Sequence, residues 1–422
     1  MNETLTAAAT LPAKASAGLY QRLVFAALGK MTAGCLRIEL PDGSVQTIGT
    51  PRAEISAGIR VRDAAFFKRC VLFGDVGFGE SYVAGEWDTD SIERVIAWVI
   101  LNVENSPAMS GSKSRAFALN LLKFYNRALH LLRPNSVRTA RENIAEHYDL
   151  GNDFYRLWLD PTMTYSSAYF TAPDQSLEAA QTEKYDALCR KLRLTPDDRV
   201  LEIGSGWGGF ACHAVRFYGC HVTTVTISTE QFHFARKRFR REGVANRTDI
   251  RLEDYRNLTG QFDKIASIEM MEALGDRYLE TYFAKIHALL KPDGLVGLQF
   301  ITVPDSRHAE LKRGVDWIQK HIFPGSLLLS VGRVNQALSH TSDLFLHALE
   351  DFGLSYARTL RAWFDTFNTR LADVCALGFD ERFIRKWNYY LQYCEAAFAM
   401  RNISVVQAIC TRPNNPRLRS SA

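Results

Sequence analysis

From Asp197 onward, short apolar runs alternate with segments of helical periodicity. Arg199–Ile203, His221–Ile227, Asp249–Leu252, Phe262–Glu269 and Gly294–Val303 read as strands. Gly209–Tyr218, Glu230–Glu242 and Tyr278–Leu290 read as the helices between them. A helical insertion then runs from about 305 to 400, and Ile403–Thr411 closes as a last strand. Strands alternating with helices predict an α/β fold, a doubly wound sheet covered on both faces.

The first part of the chain has a different pattern. Residues 1–20 are rich in Ala and Thr and predict a flexible start. Residues 21–105 predict a small α+β domain of strand-like runs separated by turns. Pro41-Asp-Gly43 reads as a turn between Leu36–Leu40 and Val45–Ile48, and Ser91–Val103 reads as a helix. Residues 106–140 read as a linker followed by a basic amphipathic helix, in which Phe117, Leu121, Phe124, Ala128 and Leu132 recur at helical spacing. That helix is either a packing element or an interfacial one that touches lipid head groups. Residues 141–422 form the expected catalytic domain.

Composition changes this picture only locally. Lys and Arg number 51 against 46 Asp and Glu, a net charge of +5 that is mild for 422 residues. From Pro107 to Arg141, however, Lys113, Arg115, Lys123, Arg127, Arg133, Arg138 and Arg141 face no acidic residue in sequence. Such a segment suits an anionic membrane surface. The eight cysteines contain no C-x-x-C pair, so no metal site is expected. The start, with Glu3 and Lys14 around a weak apolar stretch, does not read as a signal peptide, and no apolar run is long enough to span a membrane. A cytoplasmic protein with reduced thiols is the expectation.

The clearest chemical motif is Val200-Leu-Glu-Ile-Gly-Ser-Gly-Trp-Gly-Gly209, placed between a strand and a helix. Small residues there let a cofactor approach the backbone, and the helix start supplies free N–H groups. Gly204, Gly206 and Gly209 satisfy the dinucleotide spacing. Gly204, Gly206 and Gly208 satisfy the methyltransferase spacing, and Glu202 two residues earlier favours the second version. Thr226, Ser228 and Gln231 are the polar groups at the tip of the second strand, suited to a ribose. Asp254 and Tyr255 follow the third strand, where they either face an adenine or cap the next segment.

These residues, together with Glu146–Tyr155, Thr164–Tyr169, Val225–Gln231, Trp317–Gly325 and Tyr389–Cys394, are similar to the cyclopropane fatty acid synthases, including the mycolic acid cyclopropane synthases. The resemblance covers most of residues 140–412. It implies a Rossmann-like class I methyltransferase fold. It also implies methyl transfer from S-adenosyl-L-methionine to the double bond of an unsaturated acyl chain in a membrane phospholipid, giving a cyclopropane. Peripheral contact with the inner membrane face and no nucleic-acid partner follow from it, and a homodimer is an open option. By resemblance the cofactor meets Tyr165, Ser166, Gly204, Gly206, Thr226, Gln231 and Tyr255.

The family also holds a bicarbonate ion as base, through a Cys, a Glu, a His, a Tyr and an Ile backbone group. Glu272 and Ile301 match the Glu and the Ile. Ser167 stands for the Cys, Gln299 for the His and Phe364 for the Tyr. Bicarbonate is therefore an open expectation. Glu269 brings a second carboxylate close to Glu272 and is either a base that replaces or supports bicarbonate, or a surface or capping acid. Cys394 falls where the family carries a Cys, as an active-site residue or as a buried structural thiol. An alternative product is a methylene- or methyl-branched chain, the methyl branch needing a redox partner. A second alternative is a binding protein without catalysis.

Overall fold

The computed structural model describes residues 18–102 and 150–418. The expected linker and basic helix at 106–140, and all but the last residues of the flexible start, lie outside these.

The turn at Pro41–Gly43 joins β1 (Cys35–Glu39) to β2 (Val45–Gly49) as an antiparallel pair. Gly43 takes a left-handed φ of 79°, and Asp42 accepts the backbone N–H of Ser44 at 3.0 Å, which fixes the reversal. β3 (Ser56–Val61) runs parallel to β1, and β4 (Trp87–Asp88) closes the sheet in the order β2-β1-β3-β4. Helices Leu19–Leu28, Ala65–Val83 and Ile92–Asn102 accompany it.

Two of these helices correct the sequence reading. Leu19 and Tyr20 open a helix rather than belong to a flexible start. Ala65–Val83 was hidden among the expected strands because it is apolar on nearly all sides and broken by glycines, which blurs the helical period. One of those glycines is required by packing: a Cβ on Gly79 would lie 2.5 Å from the Trp317 ring and 2.8 Å from Tyr389.

The second sheet has seven strands: β5 (Arg199–Ile203), β6 (His221–Thr226), β7 (Thr248–Leu252), β8 (Phe262–Ile268), β9 (Leu290–Thr302), β10 (Phe345–Asp351) and β11 (Ser404–Thr411). Their order is β10-β11-β9-β8-β5-β6-β7. β5 to β9 pair in parallel, and β11 is antiparallel to both its neighbours. Leu188, Phe210 and Phe239 form the core on one face, and Phe283, Ile286 and Val334 on the other. β10 corrects the expectation of an unbroken helical insertion at 305–400. It is an edge strand, mostly exposed, so it has no apolar run to announce it.

A third core is aromatic. Phe154, Trp158, Trp363 and Trp387 pack together, and the same cluster continues through Trp317 and Tyr389 to Trp87 beside the small sheet. Helix Glu381–Ala399 carries this contact. Its Arg385 donates to the carbonyls of Tyr82 and Trp87 and to Asp88, and its Gln392 accepts the N–H of Glu93. Among the described residues no helix is long and apolar enough to cross a membrane.

Candidate active site

The parallel strands end on one side of the sheet, where a crevice forms beside a change of strand order. β5 runs into the glycine loop there. Gly204, Gly206 and Gly208 have φ of 95°, 48° and 84°, left-handed values that side chains resist. The N–H groups of Gly204 and Ser205 both donate to the Val225 carbonyl at 3.0 Å, tying the loop to β6. A Cβ on Gly208 would come within 2.7 Å of Phe239, and one on Gly209 within 2.5 Å of the Tyr185 hydroxyl. A Cβ on Gly206 would meet nothing within 4 Å. The loop is thus packed from behind and open at Gly206, a cradle that suits a nucleoside cofactor.

Its neighbours complete that cradle. Thr226 donates to the Gln231 carbonyl oxygen at 2.9 Å, and Ser228 caps helix Thr229–Arg241. The Tyr255 hydroxyl is buried with no hydrogen-bond partner among the described residues. Asp254 is held by both arms of Arg256 and caps the following turn. Glu202 is buried and accepts from Thr224 at 2.6 Å, a brace between β5 and β6; burial pushes its pKa to about 8. Tyr165 lies among Tyr155, Trp158 and Trp363, its hydroxyl 2.8 Å from that of Tyr390. The Ser166 hydroxyl accepts from the buried Lys184 ammonium at 2.6 Å.

The two carboxylates follow β8. Glu269 has φ 48°, left-handed for a residue with a side chain, and its N–H donates to the Gln299 carbonyl at 2.7 Å. One carboxylate oxygen, Oε1, accepts from the Ser167 N–H and from Gln299 Nε2, both at 2.8 Å. The other, Oε2, accepts from the Tyr356 hydroxyl at 2.8 Å. Burial raises the Glu269 pKa, and the Lys184 charge and these donors oppose the rise. Glu272 accepts the Ile301 N–H at 2.6 Å on Oε1, while its Oε2 has no partner among the described residues. Burial, with the Glu269 charge behind it, pushes the Glu272 pKa to about 8. Of the two, Glu269 carries the donors that favour a charged carboxylate, and Glu272 is the one pushed to about 8, which favours its protonated form near neutral pH.

The expected residues are mostly together, with different contacts. Ser167 enters through its backbone N–H; its hydroxyl turns to the Ala168 carbonyl. Phe364, expected where the family has a tyrosine, packs into the aromatic core with Arg361 over its ring. The hydroxyl that 364 lacks comes from Tyr356, earlier on the same helix, Gly353–Thr369. Cys394 packs against the aromatic core, where burial pushes its thiol well up and favours the neutral form.

Lys184, Tyr356 and Gln407 were missed. Lys184 is a lysine at a buried helical position between Ala180 and Leu188, where burial lowers its pKa to about 7, and Gln407 is the single amide in the run Val405-Val-Gln-Ala-Ile409. A polar residue at an apolar position was the available signal in both cases.

A sheet of this order with this glycine loop defines a class I methyltransferase that uses S-adenosylmethionine. The chain belongs to the mycolic acid cyclopropane synthetase family, whose sequence model matches residues 135–408. It is 37% identical over 399 residues to tuberculostearic acid methyltransferase UfaA1 of Mycobacterium tuberculosis, covering 90% of this chain and 88% of that one. It is 36% identical over 394 residues to the cyclopropane-fatty-acyl-phospholipid synthase of Escherichia coli, covering 90% and 97%. The solved structure of the mycolic acid cyclopropane synthase CmaA1 with SAH and CTAB superposes with a TM-score of 0.60 at 29% identity, over 64% of this chain and 98% of that one.

Proposed function

We propose that the protein methylates the double bond of an unsaturated acyl chain in a membrane phospholipid, with Glu269 as base in place of bicarbonate, to give a methylene-branched chain. One observation carries this reading: the donors expected to surround a bicarbonate ion surround a protein carboxylate. The Ser167 and Gln299 positions and a tyrosine hydroxyl all donate to Glu269. The Ile301 N–H, expected on the same ion, is taken by Glu272.

Gly204, Gly206, Thr226, Gln231, Tyr255, Tyr165 and Ser166 would hold the cofactor, which supplies an electrophilic methyl group. The alkene is a weak nucleophile, so its site must be dry and aligned. Tyr165, backed by the buried rings of Tyr155, Trp158 and Trp363, would offer an aromatic face that tolerates the cation left on the chain. Glu269 then removes a proton. Removal from the new methyl before any rearrangement closes a ring. Removal after a 1,2-hydride shift leaves an exocyclic methylene. Three donors lower the basicity of Glu269 and fix it in place, which slows proton removal and gives the shift time. Similarity to UfaA1 supports this outcome, and similarity to the Escherichia coli enzyme supports ring closure as the second reading.

Lipid analysis of cells expressing the chain tests the product. Acyl chains should gain one CH₂ and show the olefinic protons of a terminal methylene; high-field cyclopropyl protons would replace this reading with ring closure. Turnover should persist in bicarbonate-depleted buffer, and a bicarbonate requirement removes Glu269 from the role of base.

The membrane contact is proposed at helix Thr229–Arg241, on the inner face. His233, Arg236, Lys237 and Arg240 are exposed at helical spacing on one face. The acids of this region are engaged elsewhere, Glu230 by Asn152 and Glu242 by Arg238 and Arg241. Each basic residue at an anionic surface contributes about 1 kcal/mol. Replacing Arg236, Lys237 and Arg240 together by Gln should cut binding to phosphatidylglycerol vesicles by about a hundredfold. Binding that is unchanged in a sedimentation assay excludes this face.

A further inference from the structure

Glu269 is joined to the far side of the sheet by a chain of amides. Gln299 on β9 and Gln407 on β11 are direct cross-strand partners, both 1% exposed. Gln407 Nε2 donates to Gln299 Oε1 at 3.1 Å and to the Lys184 carbonyl at 3.1 Å. Gln407 Oε1 accepts from Lys191 Nζ at 2.6 Å. Lys191 is held in turn by Glu350, at 2.5 Å.

The two ends of this chain dictate its polarity. A lysine ammonium only donates, and an ionised carboxylate only accepts. Lys191 therefore requires an oxygen of Gln407, which turns the Gln407 NH₂ group to Gln299. The Gln299 oxygen is then occupied, and its NH₂ group must face Glu269 Oε1. A proton on Glu269 Oε1 would set donor against donor somewhere along the chain. Oε1 also accepts the Ser167 N–H, so both its lone pairs are used, whereas Oε2 accepts only from Tyr356 and keeps one open.

We propose that Gln407 and Lys191 are positioning residues: they fix the polarity of Gln299, hold Glu269 as an anion and make Oε2 the oxygen that takes the substrate proton. In that step the C–H bond breaks, its electron pair forms the new C=C bond and quenches the cation, and the proton moves to Oε2. The result is a neutral product and a neutral Glu269. The proposal rests on Glu269 being the base. The other charged or titratable groups about Glu269 are Lys184 on the helix Leu177–Lys191, Glu272 after β8 and Tyr356 on the helix Gly353–Thr369.

The test compares Gln407→Leu, Gln407→Glu, Lys191→Met and Lys191→Arg in bicarbonate-free buffer. A donor to the charged form holds a carboxylate pKa down, so its loss moves the pKa up. Both Gln407 variants should move the acid limb of the kcat profile up by about one pH unit and so lower kcat about tenfold below that limb, with the dissociation constant for S-adenosylmethionine unchanged. Lys191→Met, at a half-buried position that tolerates change, should move the limb the same way, and Lys191→Arg should restore it. An unmoved limb in Lys191→Met and in both Gln407 variants overturns the ladder while leaving Glu269 as base. A wild-type requirement for bicarbonate overturns both.

Discussion

Replacing Glu269 by Gln should reduce turnover by about a thousandfold, while the dissociation constant for S-adenosylmethionine stays within about twofold of the wild type. Proton removal by a positioned base contributes about 10²–10⁴ in rate. Gln keeps the size of the side chain and the acceptor for the Ser167 and Gln299 donors, so the loss reads chemistry and not packing. The matching Glu272→Gln variant should behave differently. Glu272 is neutral below about 8, so an amide mimics its working form and most activity at pH 7 should remain. Above about 8 the wild-type Glu272 loses its proton and places a second negative charge beside Glu269, which disturbs the pair. The alkaline fall of the wild-type kcat profile should accordingly flatten in Glu272→Gln. Equal loss in the two variants would show that the roles of the two carboxylates are not divided in this way.

Gly208→Ala should weaken S-adenosylmethionine binding by at least about thirtyfold and lower the thermal midpoint. Gly208 has φ 84°, a left-handed conformation that costs a side chain about 1–2 kcal/mol. Its new methyl group would also sit 2.7 Å from Phe239, a buried ring in the core behind the loop. The ring has no room to retreat, so the loop must move, and the loop is the cradle. Gly206→Ala makes the contrast. Its Cβ meets no atom of the described residues within 4 Å, so it should fold with a smaller loss of stability and lose affinity by intruding on the proposed cofactor cradle. Isothermal titration and thermal unfolding of the two variants separate these effects. A Gly208→Ala protein with wild-type affinity would show that the loop tolerates displacement.

The central parallel strands β5, β8 and β9 were legible because they are largely buried on both faces and so read as mainly apolar runs. β10 was not, because an exposed edge needs no such run, and the helix Ala65–Val83 was not, because glycines, among them Gly79 packed against Trp317, interrupt its period. In the site, the glycine loop announced itself through local backbone demands. Glu269 and Glu272 were visible as a close pair after a strand, but their division of labour was not. The division proposed for them depends on Ser167, Gln299, Ile301 and Tyr356, which come from three separate segments. Gln407 stood out as an amide in an apolar run, but its partners were not legible for the same reason. Its meaning comes from Gln299, brought to it by strand pairing, and from Lys191, brought by the end of helix Leu177–Lys191.

The seam along helix Glu381–Ala399 sets a limit on how this chain can be shortened. The family model begins at residue 135, after the small sheet and its helices. A chain cut there would leave Tyr389 and Trp317 facing water where helix Ala65–Val83 had covered them, and Arg385 without the three acceptors it now serves. An uncovered aromatic band beside an unsatisfied guanidinium is adhesive. A deletion made in this chain should yield inclusion bodies in place of a smaller enzyme unless this helix face is rewritten in polar residues.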